Sequence, residues 1–122
     1  MTEHSVSLRL FDIVEAIERV RGVLGVLSLD EFEADWQTQW LVQRGIEILS
    51  EASRRLPEAA TGFGHPEIPW RKVAGIGNVP RHDYGNIAAP LLWKLVREDL
   101  PPLEAICREE LAILVPPDPS RG

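Results

Sequence analysis

Apolar residues recur at spacings of three and four along most of the chain, and this period is typical of amphipathic helices that face a core. The first stripe lies between Leu8 and Leu27, with charged residues between its apolar positions. It comprises Leu10, Ile13, Val14, Ile17, Val20, Leu24 and Leu27. No window shows the two-residue alternation of a half-buried strand. The pattern predicts an all-α, up-and-down helical bundle of four to five helices.

Two further helices are predicted downstream. In the sequence SLDE, the Ser28 hydroxyl and the Glu31 carboxylate can each accept a hydrogen bond from an unpaired backbone N–H, forming a capping box for a short helix near residues 29–34. A longer helix is predicted over residues 36–56. Its inward stripe comprises Trp40, Leu41, Ile48, Leu49, Ala52 and Leu56. Gly45 shares that stripe and weakens a helix by roughly 1 kcal/mol relative to Ala, which predicts close packing of another helix there.

The second half of the chain continues the helical pattern. After a loop rich in Gly and Pro at residues 57–69, a helix is predicted from about Trp70, and the last helix spans residues 88–114. Pro102 is expected to kink this last helix, because it cannot donate a backbone hydrogen bond. Asp99 is expected to cap the second half. The inward positions are Leu92, Leu95, Val96, Leu103, Ile106, Leu111 and Leu114.

Length and composition fit one domain. The chain has 122 residues, of which 44% are hydrophobic and 26% charged, as in ordinary globular proteins. We expect residues 1–115 to form a single helical domain and residues 116–122 to form a flexible tail. The four tryptophans are expected to pack inside the bundle: Trp36, Trp40, Trp70 and Trp93.

The sequence also bears on location and on cysteine chemistry. No apolar run approaches the eighteen or so residues that span a bilayer, and the N-terminus is too amphipathic and acidic for a secretion signal. We therefore expect a cytoplasmic protein without a membrane partner. Cys107 is the single cysteine, which excludes an internal disulfide. Its position on an apolar helical stripe predicts a small buried hydrophobe.

Charge is unevenly distributed along the chain. The formal net charge of −6 argues against a protein that coats nucleic acid through many phosphate contacts. Residues 1–35 carry eight acids against three arginines, whereas residues 54–97 carry seven bases against three acids. A locally positive face that receives one phosphate chain is one interpretation, and scattered solvated charges are the other.

The most chemically loaded stretch is GIGNVPRHDYGN at residues 75–86. His4, His65 and His82 lie far apart and show no paired-ligand spacing, so neither a metal nor another cofactor is predicted. A histidine with a pKa near neutrality, such as His82, can take a proton from a ribose 2′-hydroxyl and help expel the 5′-oxygen, which requires no metal. A purely structural histidine is the alternative.

A longer set of segments resembles a known family. The stretch HPEIPWRKVAGIGNVPRHDYGNI, followed by LLWKLVREDLPPLEAI, is similar to the C-terminal half of the HepT-like family of HEPN proteins. The hallmark of that family is Arg-Asn, three residues, His, one residue and Tyr. LRLFDIVEAIERV and SLDEFEADWQTQWLVQRGIEILSEASRRL resemble the family's first three helices. The resemblance covers roughly residues 8–112.

The resemblance implies a function and a set of site residues. Members are the toxins of bacterial toxin–antitoxin pairs and metal-independent ribonucleases, and they dimerise so that two motif segments face each other across a basic cleft. His82 would be the general base or acid and Asn78 a polar orienting group, with a helix C-terminal cap as the alternative for Asn78. Tyr84 would be the hydroxyl that a minimal nucleotidyltransferase antitoxin adenylylates, with packing at an interface as the alternative. Arg71, Lys72 and Arg81 would contact the RNA substrate, although solvated surface charge is the alternative for Arg71 and Lys72.

The chain departs from the family pattern at several positions. Gly77 stands where the family has its motif arginine, and Pro80 lies inside the motif. Arg81 could supply the missing charge, as could Arg71. Gly45 stands where many relatives carry Asn. A weakened ribonuclease and a catalytically degenerate domain that binds RNA or a nucleotidyltransferase both remain open.

Overall fold

The computed structural model describes residues 3–56 and 89–115, with side chains from Val6 onward. These residues form an all-α bundle, and no strand occurs among them, which confirms the predicted fold class. The helices are α1 (Glu3–Leu24), α2 (Leu29–Glu33), α3 (Trp36–Arg54), α4 (Ala89–Lys94), a π-helical turn (Leu95–Asp99) and α5 (Leu100–Leu114). The predicted loop at residues 57–69, the helix from Trp70 and the tail at residues 116–122 lie outside the described residues.

The first helix ends earlier than its apolar stripe predicts. Gly25 adopts a φ of 55°, a left-handed conformation that favours glycine and ends a helix. The Gly25 N–H donates to the Arg21 carbonyl at 2.9 Å, which satisfies one carbonyl of the last turn. Leu27 therefore lies beyond α1, in the turn before α2, where it still packs against the core.

The capping box predicted for the second helix is present. The Glu31 N–H donates to the Ser28 hydroxyl at 3.1 Å, and the Ser28 N–H donates to the Glu31 carboxylate at 3.0 Å. The backbone and side-chain hydrogen bonds with Ser28 lower the pKa of Glu31. This cap fixes the start of α2 and so directs Phe32, which is fully buried, into the core.

The third helix begins with a cap that the sequence analysis did not assign. The Thr38 N–H donates to the Asp35 carboxylate at 3.0 Å, and the Thr38 hydroxyl donates to its other oxygen at 2.7 Å. These hydrogen bonds lower the pKa of Asp35. Two consecutive capped starts set the tight α2–α3 corner.

The core lies mainly between α1 and α3, with α4, the π-helical turn and α5 packed on them. Its fully or nearly fully buried side chains include Ile13, Ile17, Leu24, Phe32, Val42, Ile46, Leu49, Leu92, Leu100, Leu103 and Cys107. Gly45 is where α1 and α3 approach closely, because a Cβ placed there would overlap a methyl group of Val20. The predicted close packing at Gly45 is thereby confirmed. Cys107 is buried, as predicted.

The inward stripe predicted for α3 is partly wrong. Leu49, Ala52 and Leu56 are buried, but Trp40, Leu41 and Ile48 are exposed. The face that packs inward instead runs through Val42, Ile46, Leu49 and Ser53. Buried polar side chains on this face make it look less apolar in the sequence than the exposed side of the helix.

The prediction that the tryptophans pack inside the bundle holds for only one of the three that are described. Trp93 is half-buried and packs against the core. Trp36 and Trp40 are 58% and 57% exposed, and their rings meet edge to face with centroids 5.0 Å apart. Trp70 lies outside the described residues.

The backbone hydrogen bonds between α4 and α5 change from the α-helical spacing of four residues to a spacing of five at the π-helical turn. The Leu100 N–H donates to the Leu95 carbonyl, five residues back. Pro101 and Pro102, in the first turn of α5, lack the N–H groups that would continue a regular ladder. The predicted side-chain cap by Asp99 is wrong, because Asp99 is itself helical and its carboxylate makes no capping hydrogen bond.

An ion-pair network joins α1 to α5. Glu104 is buried and accepts hydrogen bonds from Arg21, one of them at 3.1 Å, and from the Nε of Arg108 at 3.0 Å. Arg108 also pairs with Glu18. Burial alone would raise the pKa of Glu104, but the hydrogen bonds and charges of Arg21 and Arg108 outweigh it and lower that pKa.

Within residues 3–56 and 89–115, no helix combines the length and the apolar character that crossing a bilayer requires.

Candidate functional site

The predicted site residues all fall in the part of the chain that the structure does not describe. These are Arg71, Lys72, Asn78, Arg81, His82 and Tyr84, together with the departures Gly77 and Pro80. Their roles stay predictions. The described residues instead define the two ends between which this segment runs, at Leu56 and Ala89.

The residue that precedes the candidate segment belongs to a firmly packed helix end. Leu56 is buried, and its N–H donates to the Ser53 carbonyl at 3.2 Å. The Arg55 N–H donates to the carbonyls of Glu51 and Ala52, each at 3.2 Å. These bonds close the last turn of α3. The position at which the candidate segment begins is therefore fixed by the core.

The candidate segment is followed in sequence by α4, which is anchored to the turn between α1 and α2. The Trp93 indole N–H donates to the Leu27 carbonyl at 3.2 Å, and Arg97 donates to the same carbonyl at 3.2 Å and to that of Gly25 at 2.7 Å. The Arg97 guanidinium also lies 5.7 Å from the centre of the Trp93 ring. Because α4 begins five residues after Tyr84, this anchor fixes the position of the helix that follows the candidate motif in sequence.

The positive face expected over residues 54–97 can be examined at four of its seven cations. Arg97 is committed to backbone carbonyls, so its role is structural. Arg54 and Arg55 are exposed at the end of α3; Arg54 donates to Ser50 at 3.0 Å and Arg55 pairs with Glu51 at 2.8 Å. Lys94 is exposed at the end of α4. Three exposed cations thus lie on the helices that bracket the candidate segment.

Polar residues on the buried side of α3 were missed by the sequence analysis. Gln43, Ser50 and Ser53 are all buried there. The Ser53 hydroxyl donates to the Leu49 carbonyl at 2.9 Å, and Ser50 accepts from Arg54. The seven-residue spacing of Gln43 and Ser50, two helical turns, is the signal that could have placed them on one face.

The described portion of the chain holds no group of three or more His, Cys, Asp or Glu side chains placed to bind a metal ion. His65 and His82 lie outside that portion.

Comparison with known proteins identifies the family. A family model described as ribonuclease HepT-like matches residues 13–110, a span that includes every predicted site residue. The chain belongs to the HepT-like ribonuclease family. The resemblance to HepT-like HEPN proteins drawn from the sequence is thereby confirmed.

Individual relatives agree with this assignment. The HepT-like chain is 39% identical over 95 residues to a probable ribonuclease HepT of Thermococcus cleftensis, covering 78% of this chain and 86% of the relative. It is 32% identical over 105 residues to a putative RNase of Methanocaldococcus jannaschii, covering 85% and 94% respectively. It is 30% identical over 95 residues to a putative RNase of Caldanaerobacter subterraneus, covering 78% and 80%. No solved structure matches the chain significantly.

Proposed function

We propose that this HepT-like protein is a metal-independent endoribonuclease and the toxin component of a bacterial toxin–antitoxin pair, acting in the cytoplasm. The observation that carries the proposal is the family match over residues 13–110, which spans the sequence NVPRHDY at residues 78–84, with His82 as its fifth residue. The relatives named as ribonucleases support the reaction class. The toxin role rests on the family resemblance.

In the proposed reaction His82 removes the proton from a ribose 2′-hydroxyl. The 2′-oxygen then attacks the adjacent phosphorus, and the bond from phosphorus to the 5′-oxygen breaks. The leaving 5′-oxygen takes a proton from a general acid, so the products are a 2′,3′-cyclic phosphate and a 5′-hydroxyl. Histidine suits both proton transfers because its pKa lies near neutrality. Asn78 would orient the phosphate or the imidazole through its amide.

Negative charge that develops on the phosphate needs a cation or a set of N–H donors. Gly77 cannot supply a charge, and losing one preorganised donor of this kind typically costs about a hundredfold to a thousandfold in rate. Arg81, next to His82 in sequence, is the proposed substitute, and Arg71 is the second choice. Arg71 and Lys72 would also hold RNA phosphates away from the reacting bond.

Two protein partners belong to the proposal. A second copy of the chain would bring two motif segments to one cleft, and a minimal nucleotidyltransferase antitoxin would adenylylate Tyr84. An adenylyl group adds negative phosphate to the groove that receives RNA phosphates, so like-charge repulsion explains the inhibition. Exposed Arg54, Arg55 and Lys94 on the bracketing helices support a cationic groove that such a modification would neutralise.

A second candidate function is a catalytically degenerate HEPN domain that binds RNA or a nucleotidyltransferase as a dimeric module. The observation that favours it is Gly77 at the position of the motif arginine. Such a domain would retain the RNA-binding groove but would cleave RNA too slowly to act as a nuclease.

A cleavage assay in EDTA separates the two functions. Labelled RNA is incubated with the purified wild-type chain, with His82→Ala and with His65→Ala, a matched control at a histidine outside the motif. The nuclease proposal expects cleavage by the wild type and His65→Ala, with 2′,3′-cyclic phosphate ends, and none by His82→Ala. Equal cleavage by His82→Ala would contradict it, and a silent wild type that still binds RNA would favour the binding module.

The modification is tested by intact-mass analysis. The chain is co-expressed with a candidate nucleotidyltransferase antitoxin, and the wild type is compared with Tyr84→Phe. The proposal expects adenylyl mass increments on the wild type and their loss in Tyr84→Phe. Increments that persist in Tyr84→Phe would assign the acceptor hydroxyl to another residue.

A further inference from the structure

A groove of about 340 Å³ runs along α1 and α3 on the surface of the bundle. Its floor is formed by Ala16, Val20 and Gly45. Val20 fills the space that a Cβ of Gly45 would need, so α1 and α3 approach closely beneath the groove. Ala16 and Gly45 leave the floor without a long side chain, which suits contact with a helix ridge from another molecule.

The walls of the groove are apolar and exposed. Val23, Leu41 and Ile48 are 38%, 59% and 42% exposed. Trp36 and Trp40 extend the apolar surface toward the start of α3. Clustered exposed apolar groups of this kind mark interaction sites, and tryptophans are enriched among the residues that dominate interface energies.

The charged rim is ordered along the groove. On α1, Asp12 and Glu15 come first and Arg19 follows about two turns after Asp12. Arg44, on α3, is adjacent to Gly45 and hence lies level with Val20 and Arg19. One end of the rim therefore carries two carboxylates and the other end two guanidinium groups.

The rim charges are available for exchange with a partner. Arg19 pairs with Glu15 at 3.1 Å, Arg44 with Glu47 at 3.5 Å and Asp12 with Arg9 at 3.5 Å. The side chains of Arg19 and Arg44 are exposed, and their partners Glu15 and Glu47 are half-buried. Surface pairs of this type are worth about 0.2–1 kcal/mol, so replacing them with pairs across an interface costs little.

We propose that a second copy of this chain docks in this groove about a two-fold axis that crosses α1 near Ala16. A two-fold interface uses the same patch on both molecules, so the patch must complement itself. The axis places Arg19 and Arg44 of each copy opposite Asp12 and Glu15 of the other. The inference rests on the homodimer of the proposed function and names its surface, and it requires no catalytic activity.

Charge also disfavours the competing occupants. A groove for RNA needs an excess of cations, whereas the lining of this groove balances Arg19 and Arg44 with Asp12 and Glu15, and the adjacent Arg9 and Glu47 add one charge of each sign. A strongly acidic or strongly basic protein partner would meet repulsion at one end. A self-complementary partner meets attraction at both.

The decisive test is a charge swap analysed by light scattering and native mass spectrometry. The acidic variant carries Arg19→Glu and Arg44→Glu; the basic variant carries Asp12→Arg and Glu15→Arg. We expect each variant alone to be monomeric at concentrations where the wild type is a dimer, and an equimolar mixture to form mixed dimers. Circular dichroism of each variant checks that the helices are retained.

A second pair of variants tests the apolar wall. Ile48→Lys places a charge in the groove, and Ile113→Lys is the matched control at an isoleucine that is also exposed, on α5. We expect Ile48→Lys to raise the dimer dissociation constant by about 30-fold or more, the effect of a central interface residue, and Ile113→Lys to leave it unchanged.

Each failure has a distinct meaning. Folded charge-swap variants that remain dimers by themselves, or a mixture that remains monomeric, would overturn the proposed surface. A wild-type chain that is monomeric would overturn both this surface and the homodimer. Neither result would affect the nuclease proposal, because that proposal is tested separately by the loss of RNA cleavage in His82→Ala.

Discussion

Arg21, in the last turn of α1, donates two hydrogen bonds to the buried carboxylate of Glu104 on α5, 83 residues away in sequence. Arg108 donates to the same carboxylate from one turn further along α5. The pair clamps the first helix to the last and closes the bundle. Removing an arginine partner would leave the buried carboxylate of Glu104 with less compensating charge. That penalty, more than the net strength of the ion pair, determines its contribution to stability.

Replacing Glu104 with Gln should destabilise the fold by about 1–2 kcal/mol, less than breaking a fully buried ion pair, because Arg21 and Arg108 are both half exposed and regain hydration. Urea unfolding at pH 7 measures the change. Glu109→Gln, at an exposed position on the same helix, is the control and should change the unfolding free energy little. Equal losses in both variants would show that Glu104 acts through general surface charge.

The same carboxylate should make stability depend on acid pH. Its pKa in the folded chain is lowered from 4.5, so the unfolded chain takes up the proton first as the pH falls. The contribution of Glu104 is therefore complete above about pH 4.5 and is lost as the pH falls through the folded pKa. Unfolding of the wild type and Glu104→Gln at pH 7 and at more acidic pH should show the difference shrinking, and a constant difference would argue against the ion pair.

Gly45→Ala should destabilise the bundle although alanine is the better helix former. The gain in helix propensity is about 1 kcal/mol, whereas forcing a methyl group into the stiff Val20 side chain costs roughly 1–3 kcal/mol. Gly22→Ala, where an added Cβ meets nothing within 4 Å, should show the gain alone. Thermal unfolding of the two variants should shift in opposite directions, and Val20→Ala combined with Gly45→Ala should recover part of the loss.

Cys107 should be unreactive in the folded chain. Its side chain is fully buried, and burial followed by the charges of Glu110 and Glu104 raises the pKa of its thiol to about 12. Reaction with a thiol-specific disulfide reagent should be negligible at neutral pH and stoichiometric in concentrated guanidinium chloride. Fast reaction of the folded chain would show that the α1–α5 contact opens readily.

The anchor on the Leu27 carbonyl should carry measurable stability. Trp93→Phe removes one N–H donor and keeps most of the packing area, so we expect a loss of about 1 kcal/mol. Trp36→Phe, at an exposed tryptophan, is the control and should change the unfolding free energy little in the monomer. Equal unfolding curves for all three chains would show that the hydrogen bond from the Trp93 indole to the Leu27 carbonyl adds no stability beyond a hydrogen bond from the same N–H to water.

On the proposed mechanism, Gly77→Arg should raise RNA cleavage by about a hundredfold to a thousandfold, because the added guanidinium would stabilise the negative charge that develops on the phosphate. Gly77→Ala controls for the loss of glycine flexibility and should not show the gain. The combined variant Gly77→Arg with His82→Ala should be inactive. An unchanged rate in Gly77→Arg would indicate that another cation already occupies the position.

The local features of the fold were readable from the sequence. The capping box needs only Ser28 and Glu31, which are three residues apart, and the close approach at Gly45 follows from a glycine on a helix that gains nothing locally from it. Burial of Cys107 follows from the period of its helix. Each of these depends on residues within about one helical turn or on a single apolar stripe.

Features that depend on distant residues were not readable in this way. Whether Trp40 is exposed, and whether the last helix is interrupted at Leu95, depends on which other helices pack against these residues. The hydrogen bond from Trp93 to Leu27 joins residues that are 66 positions apart in sequence. The candidate site is a different case, because its residues came from the motif around His82 and from family resemblance. Hydrophobic period carries no information about which polar side chain meets a substrate.

The π-helical turn adds a residue between α4 and Glu104 without turning α5 away from Arg21. A π-helical turn holds one residue more than the α-helical turn it replaces, so deleting a single residue between Leu95 and Asp99 would let a regular α-helix form while everything downstream kept nearly the same orientation. Deleting Leu103, within regular α-helix, would instead rotate Glu104 by about 100° relative to α4. The carboxylate would then swing away from Arg21, so a change in chain length matters more at the start of α5 than in the window just before it.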